Sequence, residues 1–231
     1  MLYYESKCTH CGACVRHCPH EQRVCEFCGR CALFCPTDAR QICGKEYTVD
    51  ALLQDILKDR SYYEASGGGV TFSGGECMLQ IDFLCEILRN CKENGIQTAV
   101  DTAGAVPWEH FERVIPYTDI FLYDVKCFTD SLHINGVGQS NALILDNLRR
   151  LFRAFNGEII VRIPVIGGFN DDLDEMKQIA DFLKTIGCKQ VELLPYHRLG
   201  EHKYAALSRE CVTYRTPTDE QMEEFRSLFR H

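Results

Sequence analysis

Apolar and polar positions follow two alternating patterns from about residue 49 to the end of the chain. Short runs rich in β-branched or large apolar residues predict five strands, at residues 70–73, 98–101, 120–125, 159–165 and 191–195. Helical periodicity predicts six helices, at residues 49–58, 78–94, 108–115, 142–155, 172–186 and 219–229. Gly95 and Gly187 are typical helix stops, and Asp171 or Thr218 are candidate N-caps. Strands that alternate with helices indicate parallel βαβ units, which places the chain in the α/β class.

The size and charge of the chain narrow its class further. With 231 residues, of which 45% are hydrophobic and 25% charged, it is long enough for one domain with a small module attached. Its 33 acidic and 25 basic residues leave a net charge of −8, and the basic residues are scattered, so nucleic acid is not an expected partner. Apolar runs stay well short of the roughly 20 residues that cross a bilayer. We therefore expect a soluble cytoplasmic protein with no membrane partner.

Fifteen cysteines are an anomaly for a chain of this class, and eight of them lie between positions 8 and 35. The spacing C-x2-C-x2-C-x3-C-P occurs twice, through Cys8, Cys11, Cys14, Cys18, Cys25, Cys28, Cys31 and Cys35. It resembles the motif of two-cluster bacterial ferredoxins, in which three thiolates hold one [4Fe-4S] cluster and the fourth reaches the other cluster. Structural zinc sites and disulfides are the alternatives. Only residues 19–24 join the two runs, a shorter connector than such cross-ligation leads one to expect.

Residues that could bind a ligand or take part in catalysis lie at the end of each predicted strand. The carboxyl ends of parallel strands meet on one side of an α/β barrel, where ligands bind. The residues at these ends are Gly74, Gly75, Glu76, Asp101, Thr102, Asp124, Val125, Lys126, Arg162, Tyr196 and His197. Glycines let a ligand approach the backbone, carboxylates and a cation match a zwitterion or a metal, and an imidazole can contact a planar base. Together these residues predict one ligand-binding face.

The chain from Tyr47 onward resembles the glycyl-radical-enzyme activating enzymes of the radical SAM superfamily. The motifs that carry the resemblance are S-G-G-E at 73–76, D-T at 101–102, D-V-K at 124–126 and L-L-P-Y-H at 193–197. The double cysteine motif resembles the ferredoxin-like insert of many members. The resemblance implies a ferredoxin-like module with two [4Fe-4S] clusters over residues 1–45. It also implies a partial parallel (β/α)6-type barrel, apparently without its first strand, over residues 46–231.

The same resemblance implies how S-adenosylmethionine is bound. Gly74, Gly75 and Glu76 receive its methionyl amine, and Lys126 meets its carboxylate. His197 contacts the adenosyl portion. An electron that a flavodoxin or ferredoxin supplies passes through a third, site [4Fe-4S] cluster and splits the sulfonium. The 5′-deoxyadenosyl radical then takes hydrogen from a glycine of the partner protein, a glycyl radical enzyme.

The resemblance also implies that the remaining residues of the predicted face lie beside S-adenosylmethionine. Asp101, Thr102 and Asp124 shape a polar or cation site, and Val125 adjoins it. Arg162 lines the active site, and the resemblance makes it, with Lys126, the catalytic pair. These roles are implied by the family and do not follow from the spacing of the residues.

The sequence departs from the family at the ligands of the site cluster. That cluster is held by C-x3-C-x2-C, but in this chain positions 21 and 38, which would complete the motif, are Glu and Asp. We expect an N-terminally shortened activating enzyme that is inactive as encoded. Replacement of the missing ligands by Cys77 and Cys127 is a second hypothesis. The alternative functions are a two-cluster electron carrier and a non-catalytic remnant that binds the partner.

Overall fold

The computed structural model describes residues 1–20 and 25–230 and divides into two compact units. The first, here called the cysteine unit, comprises the described residues of Met1–Glu46 together with His197–Thr213. The second, the sheet unit, comprises Tyr47–Tyr196 and the chain from Tyr214 to its described end. The predicted division into residues 1–45 and 46–231 assigns the segment 197–213 differently. Residues 21–24 of the connector between the cysteine runs lie outside the described residues.

The cysteine unit is built from short elements. Strand β1 (Leu2–Tyr3) pairs antiparallel with β2 (Arg40–Gln41), and between them lie the helices α1 (Ala13–Arg16) and α2 (Arg30–Leu33). A 3-10 turn follows β1 at Glu5–Lys7. The N-caps of α1 and α2 are Gly12 at φ 72° and Gly29 at φ 77°, a left-handed conformation that glycine adopts without steric cost.

The sheet unit contains a five-stranded sheet whose strands are all parallel and stand in sequence order. The strands are β3 (Gly69–Phe72), β4 (Gln97–Thr102), β5 (Ile120–Asp124), β6 (Glu158–Val165) and β7 (Val191–Pro195). Each overlaps a predicted strand. The predicted α/β class with a partial parallel barrel is confirmed.

Helices connect the strands and flank the sheet. In chain order they are α3 (Val49–Leu57), α4 (Arg60–Ser66), α5 (Ile81–Glu93), α6 (Trp108–Val114), α7 (Asp130–Val137), α8 (Ala142–Ala154), α9 (Leu173–Thr185), α10 (Glu201–Ala206) and α11 (Asp219–Leu228). Helix α10 belongs to the cysteine unit. Shorter 3-10 turns lie at Cys77–Gln80, Ile115–Tyr117 and Arg198–Gly200. No described helix is both long enough and apolar enough to cross a membrane.

The core of the sheet unit lies where helices cover the sheet. Phe121 and Tyr123 of β5 and Val161 of β6 are fully buried, and so are Leu88 of α5 and Leu148 of α8. Burying a side chain of this kind contributes about 1.5–3 kcal/mol. Buried and partly exposed residues alternate along β4, β5 and β6. Because the strands are parallel, the polar groups at their carboxyl ends lie along one edge of the sheet.

Two predicted helix starts were wrong, each for a local reason. The helix predicted from residue 78 begins as a 3-10 turn, because the Glu76 side chain accepts a hydrogen bond from Met78 N at 3.2 Å and caps it. Asp172, and not Asp171, is the N-cap of α9. The Asp171 carboxylate instead accepts from Gly168 N and pairs with Arg215 at 2.7 Å. Thr218 is confirmed as a cap, with a full capping box on α11.

Candidate functional site

Glu76 lies at the carboxyl end of β3 and is held by three donors. Its carboxylate accepts hydrogen bonds from Thr102 Oγ1 at 2.9 and 3.0 Å, Ala103 N at 3.0 Å and Met78 N at 3.2 Å. Thr102 is 2% exposed, so it serves this carboxylate and cannot contact bulk solvent. The donors fix the carboxylate as an oriented negative group, which suits it to bind a cationic ligand.

The two glycines before Glu76 leave the backbone open. A Cβ built on Gly74 or on Gly75 meets no atom within 4 Å, and both residues are exposed. Gly74 has a φ of 117°, which a residue with a side chain rarely adopts. A ligand can therefore reach the peptide groups beside Glu76.

A second set of charges joins the ends of β4 and β5 to Arg162, which lies inside β6. Arg162 Nη2 lies 2.5 Å from Asp101 Oδ1 and 2.9 Å from Asp124 Oδ1. Lys126 Nζ lies 3.6 Å from Asp124 Oδ2, and Ser73 Oγ donates to Asp101 Oδ2 at 2.9 Å. Two carboxylates and two cations thus balance each other at this edge. The pKa of Arg162 is raised: burial opposes its charge, but the attraction of Asp124 and Asp101 outweighs that cost.

The predicted face also includes Val125 and His197. The Val125 side chain is 1% exposed and packs in the core, so only its backbone can face a ligand. Val125 N donates to Arg162 O at 2.9 Å, which ties the end of β5 to β6. His197 is exposed and belongs to the cysteine unit, while Tyr196 belongs to the sheet unit. The contact of His197 with an adenosyl group stays a prediction.

Sequence reasoning missed three buried polar residues that support Lys126. Asn170 Nδ2 donates to Lys126 O at 2.5 Å and to Pro164 O at 2.7 Å. Asn141 Nδ2 donates to Cys127 O at 2.9 Å, and the Glu175 carboxylate accepts from the backbone N–H groups of residues 128 and 129. The backbone from 126 to 129 is thus held by side chains from three later segments. These pairings have no local signal in a single sequence, because their partners are 14 to 47 positions apart.

Cys77 and Cys127 do not present thiolates to a ligand. Cys77 Sγ faces the backbone oxygens of Phe72 at 3.4 Å and Asp101 at 3.5 Å. Burial is the main cause that raises the pKa of each thiol to about 12. Because the thiolate is the metal ligand, this geometry speaks against the two residues as substitutes for site-cluster ligands.

The eight N-terminal cysteines line two cavities in the cysteine unit. The Cys8 cavity, of about 300 Å³, is lined by Cys8, Cys11 and Cys14 of the first run and by Cys35 of the second. The Cys25 cavity, of about 250 Å³, is lined by Cys25, Cys28 and Cys31 of the second run and by Cys18 of the first. Each run therefore contributes three cysteines to one cavity and its last cysteine to the other.

The two runs have the same local backbone, which explains this exchange. His10 and Phe27 occupy equivalent places, between the first two cysteines of each run, and both have a positive φ, of 53° and 54°. The rings of His17 and Phe34, which precede the last cysteine of each run, stack with their centroids 3.9 Å apart. The two halves meet through this stacked pair.

The thiols differ in their surroundings. The pKa of Cys35 is lowered, chiefly because the backbone N–H of Arg40 points at its sulfur. Burial raises the pKa of Cys31, and the positive charge of Arg40 opposes that shift.

Four cysteine sulfurs around each cavity are the donor set of a [4Fe-4S] cluster, so the residues fit that group. Among the described residues no three Cys, His, Asp or Glu side chains converge on a position for a single metal ion.

Comparisons with known proteins show the family of the chain. The Radical SAM superfamily model matches residues 7–183. The trans-4-hydroxy-L-proline dehydratase activating enzyme of Clostridioides difficile is 44% identical over 99% of this chain and 81% of that protein. The choline trimethylamine-lyase activating enzyme of Oleidesulfovibrio alaskensis is 36% identical over 100% of this chain and 81% of that protein.

A solved structure shows the same relationship in three dimensions. The crystal structure of a domain of pyruvate-formate lyase-activating enzyme from Bacteroides vulgatus matches with a TM-score of 0.59 and 32% identity. The match covers 70% of this chain and 92% of that domain. The chain therefore belongs to the radical SAM superfamily and, within it, to the glycyl-radical-enzyme activating enzymes.

Proposed function

We propose that the sheet unit binds S-adenosylmethionine at the carboxyl edge of its strands and serves the activation of a glycyl radical enzyme. The observation that carries this proposal is that charged residues lie on or after four successive strands. Glu76 follows β3 and is bound by Thr102 of β4, and the ion pairs of the next three strands join Asp101, Asp124, Lys126 and Arg162. In an activating enzyme that also has a site cluster, S-adenosylmethionine bound here would supply the 5′-deoxyadenosyl radical that removes hydrogen from the partner's glycine.

Glu76 is the residue that we assign to the methionyl amine. Its carboxylate is oriented by Thr102 and Ala103, and its approach is open across Gly74 and Gly75. A fixed carboxylate beside exposed peptide groups binds an ammonium group through charge and hydrogen bonds together. The glycines are required here because any side chain would stand in the path of the ligand.

Lys126 is the residue that we assign to the carboxylate of the same ligand. It stands 3.6 Å from Asp124, a loose contact that leaves its ammonium able to take a second anionic partner. Arg162 holds Asp101 and Asp124 in place, so it orients the polar site next to the ligand. We propose that Val125 contributes backbone only and that His197 contacts the adenosyl portion.

We propose that residues 1–45 act as a ferredoxin-like module that binds two [4Fe-4S] clusters, and that the barrel occupies residues 46–231. The cavities support cross-ligation, with Cys35 completing the Cys8 cluster and Cys18 completing the Cys25 cluster. These clusters would carry electrons from a flavodoxin or ferredoxin. The partner is a glycyl radical enzyme, in keeping with the names of the relatives.

The ligands of the third cluster, the site cluster, are not found in this sequence, and cleavage of S-adenosylmethionine depends on that cluster whereas binding by the sheet unit does not. No C-x3-C-x2-C occurs among the 231 residues, Cys77 Sγ faces backbone oxygens, and Cys127 is 1% exposed. We therefore expect this chain to bind S-adenosylmethionine and to form no 5′-deoxyadenosine from it. A two-cluster electron carrier without ligand binding is the second candidate, favoured by the two cysteine-lined cavities alone.

The test is equilibrium binding of radiolabelled S-adenosylmethionine to the anaerobically reconstituted chain. Glu76→Gln removes one charged hydrogen-bonding partner, which costs about 1.5–3 kcal/mol, or at least a tenfold loss of affinity. The control is Glu93→Gln, which changes an exposed glutamate at the opposite end of α5 and should bind as the unaltered chain does. Absence of binding by the unaltered chain would leave the electron-carrier function as the better account.

A further inference from the structure

Arg40 is the one described residue that lines both cysteine cavities. It is the first residue of β2, the strand that follows the second cysteine run, and it pairs across to Tyr3 of β1. Its guanidinium lies over the Tyr3 ring, 5.0 Å from the ring centroid. Tyr3 itself lines the Cys8 cavity. The side chain is thus fixed at the boundary between the two spaces.

Arg40 lies beside cysteines of both cavities. It lines the Cys8 cavity together with Cys35 and lines the Cys25 cavity together with Cys31. One residue therefore stands next to ligands of both proposed clusters.

One nitrogen of Arg40 lacks a partner. Nε is buried and has no hydrogen-bond acceptor among the described residues. A buried donor without an acceptor costs about 1–3 kcal/mol, more for a charged group, so such a group is normally satisfied. The sulfurs of a cluster and of its cysteines are acceptors that would stand in the adjoining cavities.

A cation at this boundary has a defined electrostatic effect. A [4Fe-4S] cluster with four thiolates carries negative charge, and reduction adds one more electron. A nearby positive charge, shielded from water, stabilises the more negative, reduced state more than the oxidised state. The potential of each cluster depends on net charge, hydrogen bonds to sulfur and solvent exposure, and Arg40 affects the first two.

We propose that Arg40 is a positioning residue shared by the two clusters, and that its guanidinium raises the reduction potential of both. This inference rests on the proposed binding of two clusters by the cysteine unit. Each cluster takes up one electron from the reductant in the reaction concerned, and no proton transfer is required. A single side chain would then set the potentials of two centres together.

The experiment is a dithionite titration of the anaerobically reconstituted full chain, followed by electron paramagnetic resonance. Arg40→Met keeps an unbranched, flexible side chain and removes the guanidinium with its charge. We expect both clusters to become harder to reduce by about tenfold or more, which is about 59 mV for one electron. Arg40→Gln carries the same expectation if the methionine variant fails to hold its clusters. Arg40→Lys, which keeps the charge, should return both potentials toward those of the unaltered chain.

The control is Arg30→Met, which removes an exposed arginine of α2 in the same unit that lines neither cavity. It should leave both potentials unchanged. Potentials of the Arg40 variants equal to those of the unaltered chain would overturn the inference, and so would a shift in only one cluster. Iron and sulfide analysis separates this failure from failure of the proposed function. About eight irons in the unaltered chain are needed for two clusters, and fewer would count against the clusters themselves.

Discussion

The cysteine unit and the sheet unit build their candidate sites in opposite ways. In the cysteine unit the site residues are close in sequence, and the buried apolar side chains of its described residues are the small ones of Ala13, Ala39 and Ala206. Larger apolar residues are on its surface, with Phe27 70% exposed and Leu33 79% exposed.

In the sheet unit the site residues come from distant strands, and a large hydrophobic core positions those strands. This difference in buried apolar surface indicates what stabilises each unit. A unit with so little buried apolar surface gains little from burial, which is the main favourable contribution to folding, so we expect bound clusters to stabilise it. The sheet unit can hold its site in place before any ligand arrives.

Removal of iron should produce the largest difference in stability between the cysteine unit and the sheet unit. When a chelator strips the reconstituted chain, we expect the cysteine unit to lose its order because ligation of the clusters stabilises it, while the sheet unit remains folded. Hydrogen exchange read by mass spectrometry measures this. Exchange should rise throughout residues 1–46 and stay low in β4, β5 and β6. Equal protection of residues 1–46 with and without iron would contradict the comparison.

A cavity in the core should destabilise the sheet unit and leave cluster binding by the cysteine unit unchanged. Leu148 of α8 is fully buried, so Leu148→Ala should lower the free energy of unfolding of the sheet unit by about 2–5 kcal/mol. Leu143 lies on the same helix and is 47% exposed, so Leu143→Ala is the matched control with a much smaller expected loss. Urea denaturation followed by circular dichroism measures both. The iron content of the two variants should not differ from that of the unaltered chain.

A smaller effect comes from the buried thiol of Cys127. Burial raises its pKa from 9.0 to about 12, so the folded state keeps the proton that the unfolded state releases near pH 9. The resulting stability is fully present below pH 9 and is lost as the pH rises toward 12. Urea unfolding of the sheet unit should therefore weaken across this range.

Cys127→Ala should reduce this dependence on pH, whereas Cys43→Ala, which changes an exposed cysteine of the cysteine unit, should not. Cys77 has a similarly raised pKa, so some dependence should remain in the Cys127 variant. A slope that is the same in all three proteins would show that the buried thiols do not control it.

The parts of the structure that the sequence could predict are those with local physical causes. The five strands could be identified because their apolar runs are local features of the sequence, and β4, β5 and β6 alternate buried and partly exposed residues. Thr218 could be identified as a cap because the capping box is complete within four residues. The proximity of Asp101, Asp124 and Arg162 could be predicted because parallel strands bring their carboxyl ends to one edge.

The parts that could not be predicted depend on contacts between distant residues. Helix α7 is not among the helices that the sequence predicts, and it contains Gly136, a residue with low helix propensity. A Cβ built on Gly136 would stand 2.1 Å from the Phe169 ring, so glycine is there to allow close packing. The support of Lys126 by Asn170 is equally non-local, since the two residues lie 44 positions apart.

The held backbone from Lys126 to Thr129 has a consequence for the entropy of ligand capture. Asn141, Asn170 and Glu175 already restrict this segment, so the main chain that carries Lys126 loses little conformational freedom when a ligand binds. A loop that must be ordered by its ligand gives up part of the interaction free energy to that ordering. Here the restriction is made during folding, and the ammonium of Lys126 meets an incoming anion from a segment that is already in place.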